Sequence, residues 1–105
     1  MKIAIASKGN SLDSLLDMNF GRCECFIIYD TENKEVEVLS NPNKDALEAA
    51  GTTSVQLMAA RSVSKIVAGE FGMKIKPLLD SLRIQMIVFN KPETSVRKLI
   101  SMLNH

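Results

Sequence analysis

Apolar and polar positions alternate with two different periods along the chain, and the change of period divides it into elements. Lys2 to Ala6 carries β-branched Ile3 and Ile5 on one face and small Ala4 and Ala6 on the other, which predicts a buried central strand with room for helices over the alanines. Phe26 to Asp30 predicts a second strand. Glu35 to Leu39, with Val36 and Val38 alternating against Glu35 and Glu37, predicts a third strand with one wet face, joined to the second by the hairpin loop Thr31-Glu32-Asn33-Lys34. Asn41-Pro42-Asn43 ends it, because proline cannot continue a ladder. Leu12, Leu15 and Leu16 suggest one or two helical turns before Asn19.

From Gly51 the period becomes helical. Thr52 or Thr53 is placed to cap a helix carrying Val55, Met58, Ala59 and Ser62 up to Val63. Lys65 to Gly69 predicts a buried strand, Glu70-Phe71-Gly72 a turn, and Ile75, Leu78, Leu79 and Leu82 one face of a second helix with Pro77 near its first turn. Ile84 to Phe89 predicts the fifth strand, Asn90 to Glu93 a loop, and Val96, Leu99, Ile100 and Leu103 a final amphipathic helix. The order strand, strand, strand, helix, strand, helix, strand, helix implies an α/β domain: a five-stranded mixed sheet, antiparallel in its first three strands and parallel in the remainder, with helices on both faces.

Composition narrows the function classes. The 105 residues suit one domain, 46% hydrophobic and 24% charged, and no apolar run approaches the roughly 20 residues of a membrane span. A cytoplasmic protein without membrane association is expected, since the apolar start stops at Ser7-Lys8. Thirteen basic against twelve acidic residues give no positive field for nucleic acid. The single histidine is His105, the last residue, which argues against His-dependent catalysis.

The candidate chemistry gathers in Phe20-Gly21-Arg22-Cys23-Glu24-Cys25, a loop emptying into a strand. Cys23 and Cys25, two residues apart, would in a strand face the same way with Cα atoms ~6.6 to 6.8 Å apart, at the edge of what a disulfide permits. Two thiolates on one face can hold a soft metal, but a closed site usually needs four ligands. Reduced cysteines serving as small hydrophobes are the alternative. Arg22 offers a fork for an anion, or else an ion pair with Glu24 or Asp30. Phe20 reads as a core plug or a ligand platform, with Gly21 serving geometry. Amides around Gly51 and Thr52 open a helix and suit an anion or a plain cap, and Gly69 to Gly72 follows a strand's carboxyl end, where open α/β sheets bind ligands. If the first and fourth strands are parallel neighbours, Ser7 to Asn10 lies beside Gly69, Phe71 and Gly72, and these loops with Gly51 border one groove. No nucleophile-base pair, carboxylate pair or Walker-type loop is present, so an enzyme is not expected.

Four stretches in order resemble the dinitrogenase iron-molybdenum cofactor biosynthesis family of small carrier-like proteins. They are Ile3-Ala4-Ile5-Ala6 with the turn from Gly9 to Ser14; Phe20-Gly21-Arg22-Cys23 with Phe26 and Tyr29-Asp30; Ala49-Ala50-Gly51 with Gln56-Leu57-Met58; and Val67-Ala68-Gly69-Glu70-Phe71-Gly72. The resemblance implies a three-layer ribonuclease H-like fold over residues 1–105. It implies a non-enzymatic carrier of an iron-sulfur or molybdenum-containing cluster, bound transiently. Metallocluster assembly proteins would be its partners, and the chain a monomer or homodimer. The alternative is a metal-free module, without any cofactor, that binds a partner protein or a small anionic metabolite. Nuclease chemistry is not implied, because the first strand carries no carboxylate between Lys2 and Ala6. Two positions depart from the family pattern: Ala49 replaces the first glycine of a Gly-x-Gly turn, and Arg83 replaces a glycine before the last strand, which suggests a changed turn there.

Overall fold

The structure, a computed structural model, describes residues 1–46 and 49–103; His105 lies outside the described residues. Its elements are β1 (Lys2–Ser7), β2 (Cys25–Asp30), β3 (Val36–Ser40), α1 (Ala50–Ala60), β4 (Val63–Ala68), α2 (Ile75–Ser81), β5 (Gln85–Val88) and α3 (Val96–Leu103). They form one five-stranded sheet in the order β3-β2-β1-β4-β5. β1 pairs antiparallel with β2 and β2 with β3, while β4 lies parallel to β1 and β5 parallel to β4. This is the mixed α/β sheet expected from the pattern.

The alternation in β1 explains the three layers. Ala4 and Ala6 leave room for the layer of Phe20, Phe26, Met58 and Leu79, to which α1 and α2 contribute. Ile3 and Ile5 fill the opposite layer with Leu16, Val96 and Leu99, under α3. Both faces of β1 are thus dry, and residues 3–6 are at most 2% exposed.

Three local expectations are corrected. No helix forms over Leu12 to Leu16; Leu16 instead bridges Ser7, Leu15 bridges Ser95, and the Leu16 amide donates to the Thr94 carbonyl at 2.9 Å. Burying Leu16 completely under α3 outweighs a helical turn that would leave leucines in water. Secondly, α1 ends at Ala60 rather than near Val63, because Ser62 turns left-handed (φ 60°) and sends Val63 into β4. Thirdly, neither Thr52 nor Thr53 caps α1. The helix starts after Ala49, itself left-handed at φ 61°, and the Thr53 hydroxyl donates back to the Ala49 carbonyl at 2.9 Å.

Arg83 also departs from expectation. It keeps a left-handed φ of 59°, and its amide and that of Ile84 close the end of α2 on the carbonyls of Asp80 and Leu79. The turn geometry that suits glycine is therefore preserved, with arginine bearing the strain.

Candidate functional site

An open groove of about 660 Å3 lies between three segments, residues 19–22, 49–52 and 70–75. Parallel pairing of β1 and β4 aligns their carboxyl ends. Beyond them, the chain entering β2 crosses the exit of β4: Asn19 bridges Glu70, and the Glu70 amide donates to the Met18 carbonyl at 2.7 Å. The start of α1 supplies the third wall.

The walls meet through Gly21. A β-carbon there would stand 2.8 Å from the Gly51 nitrogen and 2.9 Å from its Cα, so backbone touches backbone where α1 begins. Beneath, Phe20 is buried, its ring centroid 5.5 Å from Phe26 and 5.4 Å from half-buried Phe71. Phe20 is both core plug and groove floor. The first-turn amides of α1 border the same space, with no acidic side chain in that turn to neutralise the positive end of the helix. Lys74 adds a cation and Glu70 an anion to the rim, and Met73 stands 96% exposed beside them.

Of the residues singled out from the sequence, Phe20, Gly21, Arg22, Gly51, Thr52, Phe71 and Gly72 converge here. Asn10 does not. The Lys8 amide donates to the Leu15 carbonyl and the Asp17 amide to the Ala6 carbonyl, so residues 15–17 continue beside β1 and Asn10 stays in an exposed turn outside the groove. Gly69 is not on the wall either; a β-carbon there would collide with the Met18 side chain at 2.3 Å, so it is a packing seat. The neighbour of the Gly69 to Gly72 turn is therefore Met18-Asn19 rather than Ser7 to Asn10.

The thiols do not form the one-faced pair that their spacing suggested. Cys23 precedes β2 and is buried with Phe20 and Phe26, its Sγ 3.4 Å from the Phe20 carbonyl as donor. Cys25 starts β2 and shares the parity of Ile27, which faces the α3 layer, so the two side chains lie on opposite sides of the sheet. Burial, with the Asp17 carboxylate a lesser cause, pushes the Cys23 thiol up to about 12. Burial and the Glu24 carboxylate raise Cys25 as well. Neither is a ready thiolate at neutral pH, and neither lines the groove. Among the described residues no three His, Cys, Asp or Glu side chains gather as a metal site.

Arg22 forms neither expected ion pair. Its Nη1 donates to the carbonyls of Ala46 and, at 3.5 Å, Lys44, while Glu24 pairs with Lys44 at 2.8 Å and Asp30 with the N-terminus at 3.8 Å. Sequence reasoning missed Asn41, read only as part of a strand-ending Asn-Pro-Asn. It is 3% exposed, and its Nδ2 donates to the carbonyls of Gly21 and Cys23, both at 3.0 Å. The sequence shows only its place directly after a strand; its burial, which obliges the amide to find partners, is visible in the fold alone.

The profile of the dinitrogenase iron-molybdenum cofactor family matches residues 1–104. The chain belongs to this family. An uncharacterized protein of Methanocaldococcus jannaschii is 32% identical, over 97% of this chain and 84% of its own length. Among solved structures, one provisionally named a NifB protein, from Thermotoga, is 31% identical with a TM-score of 0.82, covering 97% of this chain and 85% of that one. The apo orange protein of Desulfovibrio gigas superposes with a TM-score of 0.89 over 97% of this chain and 85% of its own, at 24% identity, a likeness of fold. The family is related to the dinitrogenase iron-molybdenum cofactor, and no described helix of this chain is long and apolar enough to cross a membrane.

Proposed function

We propose that this protein is a non-enzymatic carrier that holds a preassembled anionic metal-sulfur species in the groove between residues 19–22, 49–52 and 70–75. The observation that carries the reading is the amino end of α1, with no acidic side chain in its first turn, opening onto an aromatic-floored groove. Helix amides favour an anion, and the Phe20-Phe71 floor suits the polarisable sulfur surface of such a cargo. Because the groove offers no cysteine, the cargo brings its own sulfide and stays exchangeable, as transfer to an assembly partner requires.

Anaerobic incubation with tetrathiomolybdate, or with iron and sulfide, followed by desalting, metal analysis and visible absorption tests this. Wild type and the Cys23→Ser, Cys25→Ser variant are expected to retain equal metal. Thr52→Glu, in the exposed first turn of α1, is expected to lose it, although a carboxylate at that position favours the helix by ~0.3 to 1 kcal/mol. Metal that depends on the cysteines, or survives Thr52→Glu unchanged, overturns the reading. Thermal stabilisation by phosphate or nucleotides but not by thiometallates would instead favour the metal-free anion-binding module.

A further inference from the structure

Gly21 is where the groove wall lies against the start of α1, and three side chains fix the plane of the peptide joining it to Arg22. The Gly21 carbonyl accepts from Asn41 Nδ2 at 3.0 Å and from Ser54 Oγ at 3.5 Å. On the other side of the same trans peptide, the Arg22 amide donates to Asn19 Oδ1 at 3.1 Å. The second Asn41 donor bond holds the Cys23 carbonyl, again at 3.0 Å. Asn41 is itself pinned: its amide donates to the Glu24 carbonyl at 3.0 Å, and its Oδ1 accepts from the Asn43 amide at 2.9 Å. Every polar atom of this buried side chain is therefore used, and both donors go to the loop at the groove.

We propose that Asn41 is a positioning residue for the groove: it turns the Gly21 carbonyl into the protein, so that this oxygen is not presented to an anionic cargo beside the α1 amides. The electrostatic reasoning is short. A carbonyl oxygen carries the negative end of a peptide dipole, and one turned into the groove would oppose the helix amides opposite it. Gly21 has no side chain to restrain that plane, and its missing β-carbon is required by the Gly51 backbone, so restraint must come from elsewhere. Asn41 supplies it from twenty residues away. An asparagine is suited to the task because one NH2 group can bridge two carbonyls, whereas serine has a single donor and aspartate none when ionised.

The inference rests on the carrier reading, so the experiment has one arm with cargo and one without. The cargo-free arm is the 13C carbonyl shift of Gly21 and Cys23 by NMR, which reports whether each oxygen accepts a hydrogen bond. Asn41→Ala should move both signals, and Asn41→Ser should restore part of the change. The second arm is tetrathiomolybdate affinity, expected to fall by about tenfold in Asn41→Ala, the scale of one buried hydrogen bond, and by less in Asn41→Ser. Ser54→Ala, which removes the longer bond to the same carbonyl, should give a smaller loss that is not additive with Asn41→Ala, because both act through one oxygen. An asparagine serving stability alone would move the carbonyl signals and lower the urea midpoint while leaving tetrathiomolybdate affinity unchanged; unchanged affinity, or unmoved carbonyl signals, overturns the proposal. Should wild type fail to bind tetrathiomolybdate, the carrier reading falls, while unmoved carbonyl shifts would still refute the clamp. If Asn41→Ala does not fold, Asn41→Ser carries both arms.

Discussion

At the scale of single residues, the two thiols illustrate how position overrides residue type. Their spacing reads as a ligand pair, yet a residue just outside a strand does not obey the strand's alternation, and Cys23 turns into the core with Phe26 while Cys25 faces the other way. Desolvation makes the thiolate the expensive form, and this has a consequence for stability. In the folded protein the Cys23 thiol titrates at about 12, against 9.0 ordinarily, so unfolding releases a proton between those values. Stability from this group is complete below pH 9 and declines as pH rises toward 12, by ~1.4 kcal/mol per pH unit for one proton. Denaturant unfolding at pH 8, 9 and 10 should show the decline, and Cys23→Ala should make it shallower, leaving the smaller part due to Cys25. A thiol-reactive disulfide reagent at pH 8 should label neither cysteine until the chain unfolds; rapid labelling of native Cys23 would contradict the burial argument.

At the scale of elements, the strands and the opposed faces of β1 were legible because their side chains repeat every two residues and both faces bury what the pattern displays. Less legible were the joints, which depend on contacts far apart in sequence. Nothing local marks Asn41 as the partner of Gly21, or Leu16 as the neighbour of Thr94. Backbone conformation was hidden for a different reason: none of the glycines has positive φ, while Lys34, Ala49, Ser62 and Arg83 do. Glycine here is spent on close approach, at Gly21 and Gly69, and the left-handed joints fall to residues with a β-carbon. That arrangement leaves stability unclaimed at both helix ends. Left-handed backbone costs an L-residue about 1 to 2 kcal/mol, partly offset by the extra chain entropy that glycine loses on folding. Ala49→Gly and Arg83→Gly, at exposed positions, should each stabilise by ~0.5 to 1 kcal/mol. Urea midpoints would check this, and a lower midpoint in Arg83→Gly would show that its side chain contributes more than its backbone costs.

For the whole molecule, the sheet order sets a gradient of protection from the centre to the rims, and the two rims differ in kind. β1 is paired on both sides and dry on both faces, so the amides of Ala4 and Ala6 should exchange with solvent deuterium only through global unfolding. β3 is a rim whose register can be read bond by bond. The Asp30 amide donates to the Glu35 carbonyl and the Asn41 amide to the Glu24 carbonyl, which fixes the hydrogen-bonded pairs and, by alternation, adds Ile28 with Glu37 and Phe26 with Leu39. The backbone groups of Val36, Val38 and Ser40 then point away from β2, and the valine side chains are 40% and 45% exposed. A monomer therefore exchanges Val36, Val38 and Ser40 quickly and Glu37 and Leu39 slowly, giving a two-residue alternation along one strand. A homodimer joined through this edge would protect all five amides and bury both valines. Residue-resolved hydrogen exchange at low and high protein concentration separates these outcomes. The expected result is alternation at both concentrations, because β3 is only five residues long and its other face carries Glu37, already paired with Arg61 of the same chain; protection at Val38 that grows with concentration would show that a second copy completes the sheet.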